Sequence, residues 1–243
     1  TQMTDGLMID GLTDVYDNVH MGVCAEMCAE KMNITREEQD EFALDSYKKS
    51  KEAWDNGFFK KEITPVTIKT RKGEHVVDQD EEFKNINIEK FKSLRTVFKK
   101  DGTVTAGNAS TINDGAAALI LMTKEKAEEL KLKPIAKIIS FSDAAQEPKW
   151  FTTAPTIALE KVLEKSNMKK SDVDFWELNE AFAVVGLANI KNLNIDKEKV
   201  NPHGGAVSLG HPLGCSGARI IITLLNTLEQ KNGKIGAAGI CNG

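Results

Sequence analysis

Asn201-Pro-His-Gly-Gly-Ala-Val-Ser-Leu-Gly-His-Pro-Leu-Gly-Cys-Ser-Gly-Ala-Arg219 is the stretch around which this 243-residue chain is organised. Five glycines and two prolines in nineteen residues are too many for a helix or strand interior, so most of it reads as a shaped loop. A helix is expected to follow. Ser216 is a favourable N-cap, Ile220, Leu224, Leu225 and Leu228 recur at helical spacing, and Asn232-Gly233 stops the pattern. His211 precedes a proline, which drives its backbone towards β or polyproline geometry. Its imidazole is therefore expected in a rigid turn before a helix, with glycines on both sides leaving room for a ligand. Taken alone, Gly-His-Pro reads first as a plain structural turn.

The rest of the composition narrows the class. A net charge of -4, with acidic and basic residues mixed along the chain, argues against a nucleic-acid surface but leaves room for local basic patches. There is no apolar run of about 18 residues, so no membrane-spanning segment is expected. No signal peptide is visible. The chain starts at Thr1 without a Met and stops within Cys241-Asn-Gly243, and it reads as part of something longer. The four cysteines, Cys24, Cys28, Cys215 and Cys241, form no disulfide framework and suit a reducing compartment. Cys24 and Cys28 lie four apart without further ligands nearby, so they read as a buried helix face rather than a metal site.

In chain order, residues 22–32 read as a helix with Val23, Met27 and Met32 on one side. Thr35-Arg-Glu-Glu38 is a capping box opening a second helix to about Asn56, with Phe42, Ala43, Tyr47 and Trp54 on its apolar face. Residues 62–78 alternate as short strands about a turn at Arg71-Lys-Gly-Glu74. The charge-dense run from Asp78 to Lys100 reads as solvated surface. Residues 113–122 read as a buried apolar strand, 124–131 as a helix, and 134–141 as another strand. A helix follows from Pro155 to about Lys165, then a strand at 173–178, a helix at 180–193, and a last strand at 234–240. Strands alternating with helices indicate an α/β layered domain.

That order carries a functional inference. Asn179 ends a strand, His211 ends a loop before a helix, and Cys241 ends a strand. Ligand sites in open α/β sheets gather beyond the carboxyl ends of strands, so three distant polar side chains can converge there. A thiol with an imidazole suits nucleophilic or acid–base work. Singly, Cys241 reads as a buried strand residue and Asn179 as a helix cap.

The stretch 201–219, together with Asn179-Glu-Ala-Phe-Ala183 and Cys241-Asn-Gly243 in that order, resembles the signatures of the thiolases. His20-Met-Gly22 and Thr103-Val-Thr-Ala-Gly-Asn-Ala-Ser110 extend the resemblance essentially from end to end, and it looks nearest to the biosynthetic, acetoacetyl-CoA type. The resemblance implies the layered αβαβα thiolase fold, here lacking most of its N-terminal half. It implies a loop domain at 1–112 that covers the site and holds CoA, the end of the N-terminal thiolase domain at 113–134, and a C-terminal thiolase domain at 135–243.

The resemblance also implies chemistry. An acyltransferase of this type condenses two acetyl-CoA to acetoacetyl-CoA plus CoA, or runs the reverse thiolysis. His211 would activate the nucleophile and donate to the thioester oxygen. Cys241 would be the acid/base for the α-proton, Asn179 would hold a water completing that oxyanion hole, and the Gly243 N–H would serve the other hole. The nucleophilic cysteine lies upstream of His20 in the family, so neither Cys24 nor Cys28 takes that role. His20, Met21, Phe98, Ser110 and Phe182 would contact CoA, with Phe98 near the adenine and Phe182 crowding the acyl pocket. Their plain readings are a loop residue, core residues and a turn. Lys99 and Lys100 read as phosphate contacts or as a solvated charge run.

No dedicated cofactor is implied beyond CoA as substrate and product. The resemblance to potassium-binding members of the family implies a potassium ion on Tyr47 and the carbonyls of Ala106, Gly107, Ala109 and Val207, and oxygen ligands suit a hard cation, although Tyr47 also reads as a core residue on its helix face. His75 and His203 receive no role. The implied partners are acetyl-CoA and acetoacetyl-CoA, with no nucleic acid and no membrane, in a homo-oligomer of the mitochondrial matrix or the cytoplasm. The rival readings are a degradative 3-ketoacyl-CoA thiolase and, from another class, a non-catalytic acyl-CoA-binding subunit. A thiolate base alone would not suffice for α-proton removal, since each preorganised oxyanion donor supplies only about 3–4 kcal/mol and positioning must add more.

Overall fold

Thr35-Arg-Glu-Glu38 forms the capping box that its residues announce. Thr35 Oγ1 accepts from the Glu38 N–H at 3.2 Å, and Glu38 Oε2 accepts from the Thr35 N–H at 2.6 Å. The computed structural model describes residues 3–242. In chain order its elements are α1 (Gly6–Gly11), β1 (Thr13–Asp14), β2 (Val19–His20), α2 (Met21–Met32), α3 (Arg36–Asp55), β3 (Val66–Thr70) and β4 (Gly73–Val77). They continue with α4 (Ile88–Phe91), α5 (Lys124–Glu129), α6 (Ala154–Lys165), β5 (Phe175–Leu178), α7 (Ala183–Leu193), α8 (Ala206–Leu209), α9 (Leu213–Gln230) and β6 (Gly236–Gly239). Helices α2 and α7 both end on an asparagine in the left-handed region, Asn33 at φ 49° and Asn194 at φ 50°, which stops them cleanly.

The functional centre rests on β5 and β6, which pair in parallel with Leu178 opposite Gly239. Trp176, Glu177 and Leu178 are buried on both faces of β5, as a parallel strand requires. Helices α6 and α9 pack on the pair. Glycine lets α9 pack close at Gly236, where a Cβ would meet Leu224 Cδ1 at 2.8 Å, and a Cβ at Gly239 would be tight against Leu159 Cδ1 at 3.0 Å. Three apolar clusters make up the core. One joins α2 to α7 through Cys24, Cys28, Val184 and Val185, a second joins α3 to α8 through Tyr47, Phe58, Phe91 and Val207, and a third surrounds Trp176 and Leu193. No described helix is long and apolar enough to cross a membrane.

Several expectations need correction. Residues 113–122 and 134–141 form no strands, and Ile120 and Ile135 are 87% and 85% exposed. Their apolar content suits buried strands, but a strand exists through its hydrogen-bonded neighbours, and no described strand pairs with either segment. Ser216 is not an N-cap. Helix α9 starts at Leu213 behind Pro212, leaving Ser216 in its first turn. Helix α7 starts at Ala183 rather than residue 180, because Glu180 is drawn into the interior. The charged run 78–100 is not all surface, since Phe83 and Phe91 anchor it in the α3 cluster.

Glu180 joins four segments. Its Oε2 accepts from Ser46 Oγ of α3 at 2.7 Å and from the Val207 N–H of α8 at 3.2 Å, and its Oε1 accepts from Asn201 Nδ2 at 2.7 Å. Asn201 in turn exchanges two 2.8 Å bonds with the backbone of Leu178. Burial raises the Glu180 pKa, and the three donors pull it back down. Leucine at 180 would strand those donors in the interior. E180L is therefore expected to cost about 3 kcal/mol or more, read as a lower urea midpoint, and E180Q less, because it keeps one acceptor oxygen.

His203 stacks on Phe58 with ring centroids 3.3 Å apart, and its buried Nε2 has no partner. Burial, helped by Lys231 and Lys49, pushes its pKa down from 6.5 to about 3. The folded state thus keeps His203 neutral while the unfolded chain protonates it. Its contribution to stability is present above pH 6.5 and is lost as the pH falls towards 3. Urea midpoints between pH 7 and pH 4 are expected to fall more steeply for the native sequence than for H203F.

Candidate active site

Asn179 and Cys241 leave the same end of the sheet. The Asn179 N–H donates to Gly239 O at 2.9 Å, continuing the β5–β6 ladder by one bond, and Cys241 follows two residues later. His211 reaches Asn179 from the glycine-rich loop, anchored by its own N–H on Thr111 O at 3.0 Å. Its backbone lies just before α9, as the proline after it requires. Three residues 30 or more positions apart are thus delivered by two strand ends and one helix start.

The imidazole is held at both nitrogens. Asn179 Nδ2 lies 3.2 Å from Nε2, and Ser216 Oγ lies 2.7 Å from Nδ1. Ser216 Oγ also donates to Pro212 O at 3.1 Å. A hydroxyl has one proton, so a Ser216 that donates to Pro212 receives the Nδ1–H. Nε2 then carries the lone pair and accepts from the Asn179 amide. Burial lowers the His211 pKa and keeps the ring neutral. A neutral imidazole whose Nε2 carries the lone pair is equipped to take a proton. The Asn179 amide meets the ring directly.

Cys241 is buried in the cluster that holds Met21, Phe182 and Val184. Burial pushes its thiol up to about 12, against a small opposing contribution from its own backbone N–H. It rests as a neutral thiol. Gly243, expected to supply an oxyanion N–H, lies outside the described residues.

The residues expected at CoA adjoin this group. His20 caps α2, its Nδ1 accepting from the Gly22 N–H at 2.9 Å, and its ring stacks on Phe98 at 4.6 Å. Phe98 meets Phe182 edge-on at 6.2 Å and occupies the space where a Cβ at Gly22 would stand. Ser110 Oγ donates to Ala181 O at 2.8 Å, leaving its lone pairs for a ligand donor. The Ala183 N–H donates to Asn108 O at 2.8 Å, so the 103–110 loop is stitched to the Asn-Glu-Ala-Phe segment. Lys99 pairs with Glu30 at 3.0 Å, whereas Lys100 appears in no described ion pair.

Tyr47 and Val207 share one apolar cluster with Phe91, and a Cβ at Gly107 would press on that same Phe91 ring. Burial, with Glu82 and Glu180 nearby, raises the Tyr47 phenol to about 12, so it stays neutral. No described donor reaches the carbonyls of Ala106, Gly107, Ala109 or Val207.

Cys24 and Cys28 are buried on α2, as expected. Ser216, Glu177 and Glu180 were not anticipated at the site. The signal for Ser216 is a hydroxyl one helical turn beyond a pre-helical histidine. The signal for the glutamates is two carboxylates flanking Asn179 in a sequence otherwise apolar.

Residues 1–125 match the family description "Thiolase, N-terminal domain" and residues 132–243 match "Thiolase, C-terminal domain". The chain is 57% identical over 244 residues to the mitochondrial acetyl-CoA acetyltransferase of Rattus norvegicus, covering all of this chain and 57% of that protein. It is 52% identical to the acetyl-CoA acetyltransferase of Schizosaccharomyces pombe, covering 62% of it. Among solved structures, the Acat5 thiolase of Ascaris suum in complex with coenzyme A superposes with a TM-score of 0.94 at 46% identity. The acetyl-CoA acetyltransferase of Bacillus anthracis superposes with a TM-score of 0.95 at 43% identity, and in both cases all of this chain covers 62% of the other. The chain therefore spans about three fifths of the length of such relatives. With both domains matched, and with the Asn179 and His211 motifs joined in one hydrogen-bonded group, the chain belongs to the thiolase family.

Proposed function

We propose that these residues supply the CoA-holding cover and the acid–base half of the site in an acetyl-CoA C-acetyltransferase. The observation that carries the reading is His211 held between Asn179 and Ser216, at the strand ends that deliver Cys241. The relatives' names, and the CoA bound to the Ascaris suum thiolase, support acetyl-CoA and acetoacetyl-CoA as ligands. Residues 1–112 act as the cover, with His20, Met21, Phe98, Ser110 and Phe182 against CoA. Residues 113–134 end the N-terminal domain, and 135–243 belong to the C-terminal domain.

The chemistry follows from the protonation states. The nucleophile, in the family a cysteine upstream of His20, gives its proton to His211 Nε2 and attacks the thioester carbon of the first acetyl-CoA. Cys241 protonates the departing CoA sulfur, so CoA leaves and an acetyl-enzyme remains with Cys241 as thiolate. A thiol raised from 9 to about 12 gives a stronger base than free cysteine, by about 4 kcal/mol at ~1.36 kcal/mol per unit. That thiolate removes the α-proton of the second acetyl-CoA. The enolate oxygen is held by the protonated His211 Nε2 together with a water on Asn179. Its carbon attacks the acetyl group, and the nucleophile recovers its proton from His211. Atoms balance as two acetyl-CoA giving acetoacetyl-CoA and CoA.

In the full-length protein, C241A is expected to lower kcat for acetoacetyl-CoA thiolysis by about 10²–10⁴-fold with little change in KM, as loss of a general acid/base requires. Retained turnover would exclude the role given to Cys241. Faster turnover of a long 3-ketoacyl-CoA than of acetoacetyl-CoA would favour a degradative thiolase. CoA binding without acyl transfer would favour a non-catalytic acyl-CoA-binding subunit.

A potassium ion would sit on Tyr47 Oη and the carbonyls of Ala106, Gly107, Ala109 and Val207, where it would stiffen the loop that holds CoA. Replacing Na⁺ by K⁺ at constant ionic strength is then expected to raise Tm in the native sequence and not in Y47F. The protein acts as a homo-oligomer. The mitochondrial names of the rat, mouse and cattle relatives support the matrix over the cytoplasm.

A further inference from the structure

Glu177 takes no part in this scheme, yet it lies on β5 two residues before Asn179. It is 3% exposed, and its Oε1 has no hydrogen-bond partner. Buried polar oxygens are nearly always paired, with protein or with ordered water. Beside it is a cavity of ≈ 20 Å³ whose wall includes Glu177, Asn179, Gly205, Ser216, Arg219 and Thr223. That is room for one water, with Glu177, Asn179, Ser216 and Thr223 as polar groups in a wall otherwise largely apolar. Ser216 is also the hydroxyl against which His211 Nδ1 rests, 2.7 Å away.

We propose that one ordered water fills this cavity and bridges Glu177 to Ser216 Oγ, making Glu177 a positioning residue that fixes the tautomer of His211. The directions of the bonds can be assigned. Burial, reinforced by the facing carboxylates Glu180 and Glu62, raises the Glu177 pKa well above the carboxylate range, against Arg219 and Lys49. Burial thus favours the protonated acid, whose O–H donates to the water. The water donates to Ser216 Oγ. A hydroxyl oxygen offers two lone pairs and one proton. With the water on one lone pair and His211 Nδ1–H on the other, the Ser216 proton goes to Pro212 O, where it is found at 3.1 Å. Nδ1 must then carry the hydrogen, and the lone pair stands on Nε2, facing Asn179.

The link from tautomer to rate rests on the acyl-transfer reading, but the water and the tautomer do not. The test is a high-resolution crystal structure of the full-length protein together with histidine ¹⁵N NMR, on the native sequence, E177Q and E177L. The expected result is one water within hydrogen-bond distance of Glu177 and Ser216, and an Nδ1–H tautomer at His211. Both are expected to persist in E177Q, whose amide can donate to the water. In E177L the water is lost, both tautomers appear, and kcat falls about 10-fold with KM unchanged and a displaced acid limb of the pH profile, as for other groups that orient a catalytic ligand. An empty cavity in the native structure, or an E177L protein with the native tautomer, would overturn the proposal. Should E177L fail to fold, the native density and the E177Q spectrum decide it. Loss of acyl transfer in the native protein would sink the enzymatic reading alone, since the water and the tautomer remain measurable.

Discussion

The site depends on a carboxylate buried where carboxylates are costly. Glu180 follows Asn179 directly, and its oxygens receive donors from α3, from Asn201 and from α8. A charge or an acid in that position is tolerated only when every lone pair is used, so each of those segments must arrive in one place. Asn201 adds a second lock by mimicking a strand, accepting from and donating to the backbone of Leu178. The result is that Asn179, which must meet an imidazole at hydrogen-bond range, sits between two residues with no freedom to shift. Ser46, Ser50 and Ser208 extend the network by 2.6 and 2.9 Å hydroxyl contacts, which tie α3 to the loop from which His211 emerges.

The same arrangement explains how the CoA contacts and the acid–base groups keep register. The 103–110 loop is laid across the Asn-Glu-Ala-Phe segment by the Ala183–Asn108 and Ser110–Ala181 bonds. Glu26 reinforces the far end of that loop, accepting from the N–H groups of Thr103 and Val104 at 2.8–2.9 Å. A displacement of the cover would therefore have to break bonds on both sides of the loop at once. Positioning to within an ångström is where much of the rate in acyl transfer arises, and this chain obtains it with short backbone ladders rather than with long side chains.

What the sequence shows about this fold is local in origin. The capping box at Thr35 and the hairpin about Arg71-Lys72 are each specified by residues within a few positions, and each stands where its residues imply. The stretch 201–219 departs from the expected loop, because α8 takes Ala206–Leu209 and α9 begins at Leu213 despite the glycines. Residues 113–122 and 134–141 carry an apolar pattern as strong as those, yet they are not strands, because pairing is decided by distant neighbours. That Asn179 and His211 could meet was legible from their places at a strand end and before a helix, and the family resemblance singled out the pair, since spacing alone says nothing about residues 32 apart. Ser216 illustrates a subtler limit. Its type predicts a cap, but Pro212 starts α9 earlier and turns the same hydroxyl towards the imidazole. Glu177 and Glu180 read as ordinary charged residues until their burial is known.

At the reacting groups burial favours the neutral forms. It lowers His20 and His211 and raises Cys241 to about 12, and it also raises Glu177 and Glu180. A neutral imidazole and a neutral thiol do not bind the ground state through ion pairs, and they do not reorganise around one. Charge then appears only as a proton moves, first from the nucleophile to Nε2 and later from the substrate carbon to sulfur, and it appears next to dipoles already aimed by the β5–β6 ladder and the start of α9. In a low-dielectric interior such fixed dipoles act more strongly on a developing oxyanion than water would. The extensive burial of polar side chains around Asn179 is thus not a defect of packing. It is the condition under which a neutral imidazole and a neutral thiol can act as a base and an acid in turn.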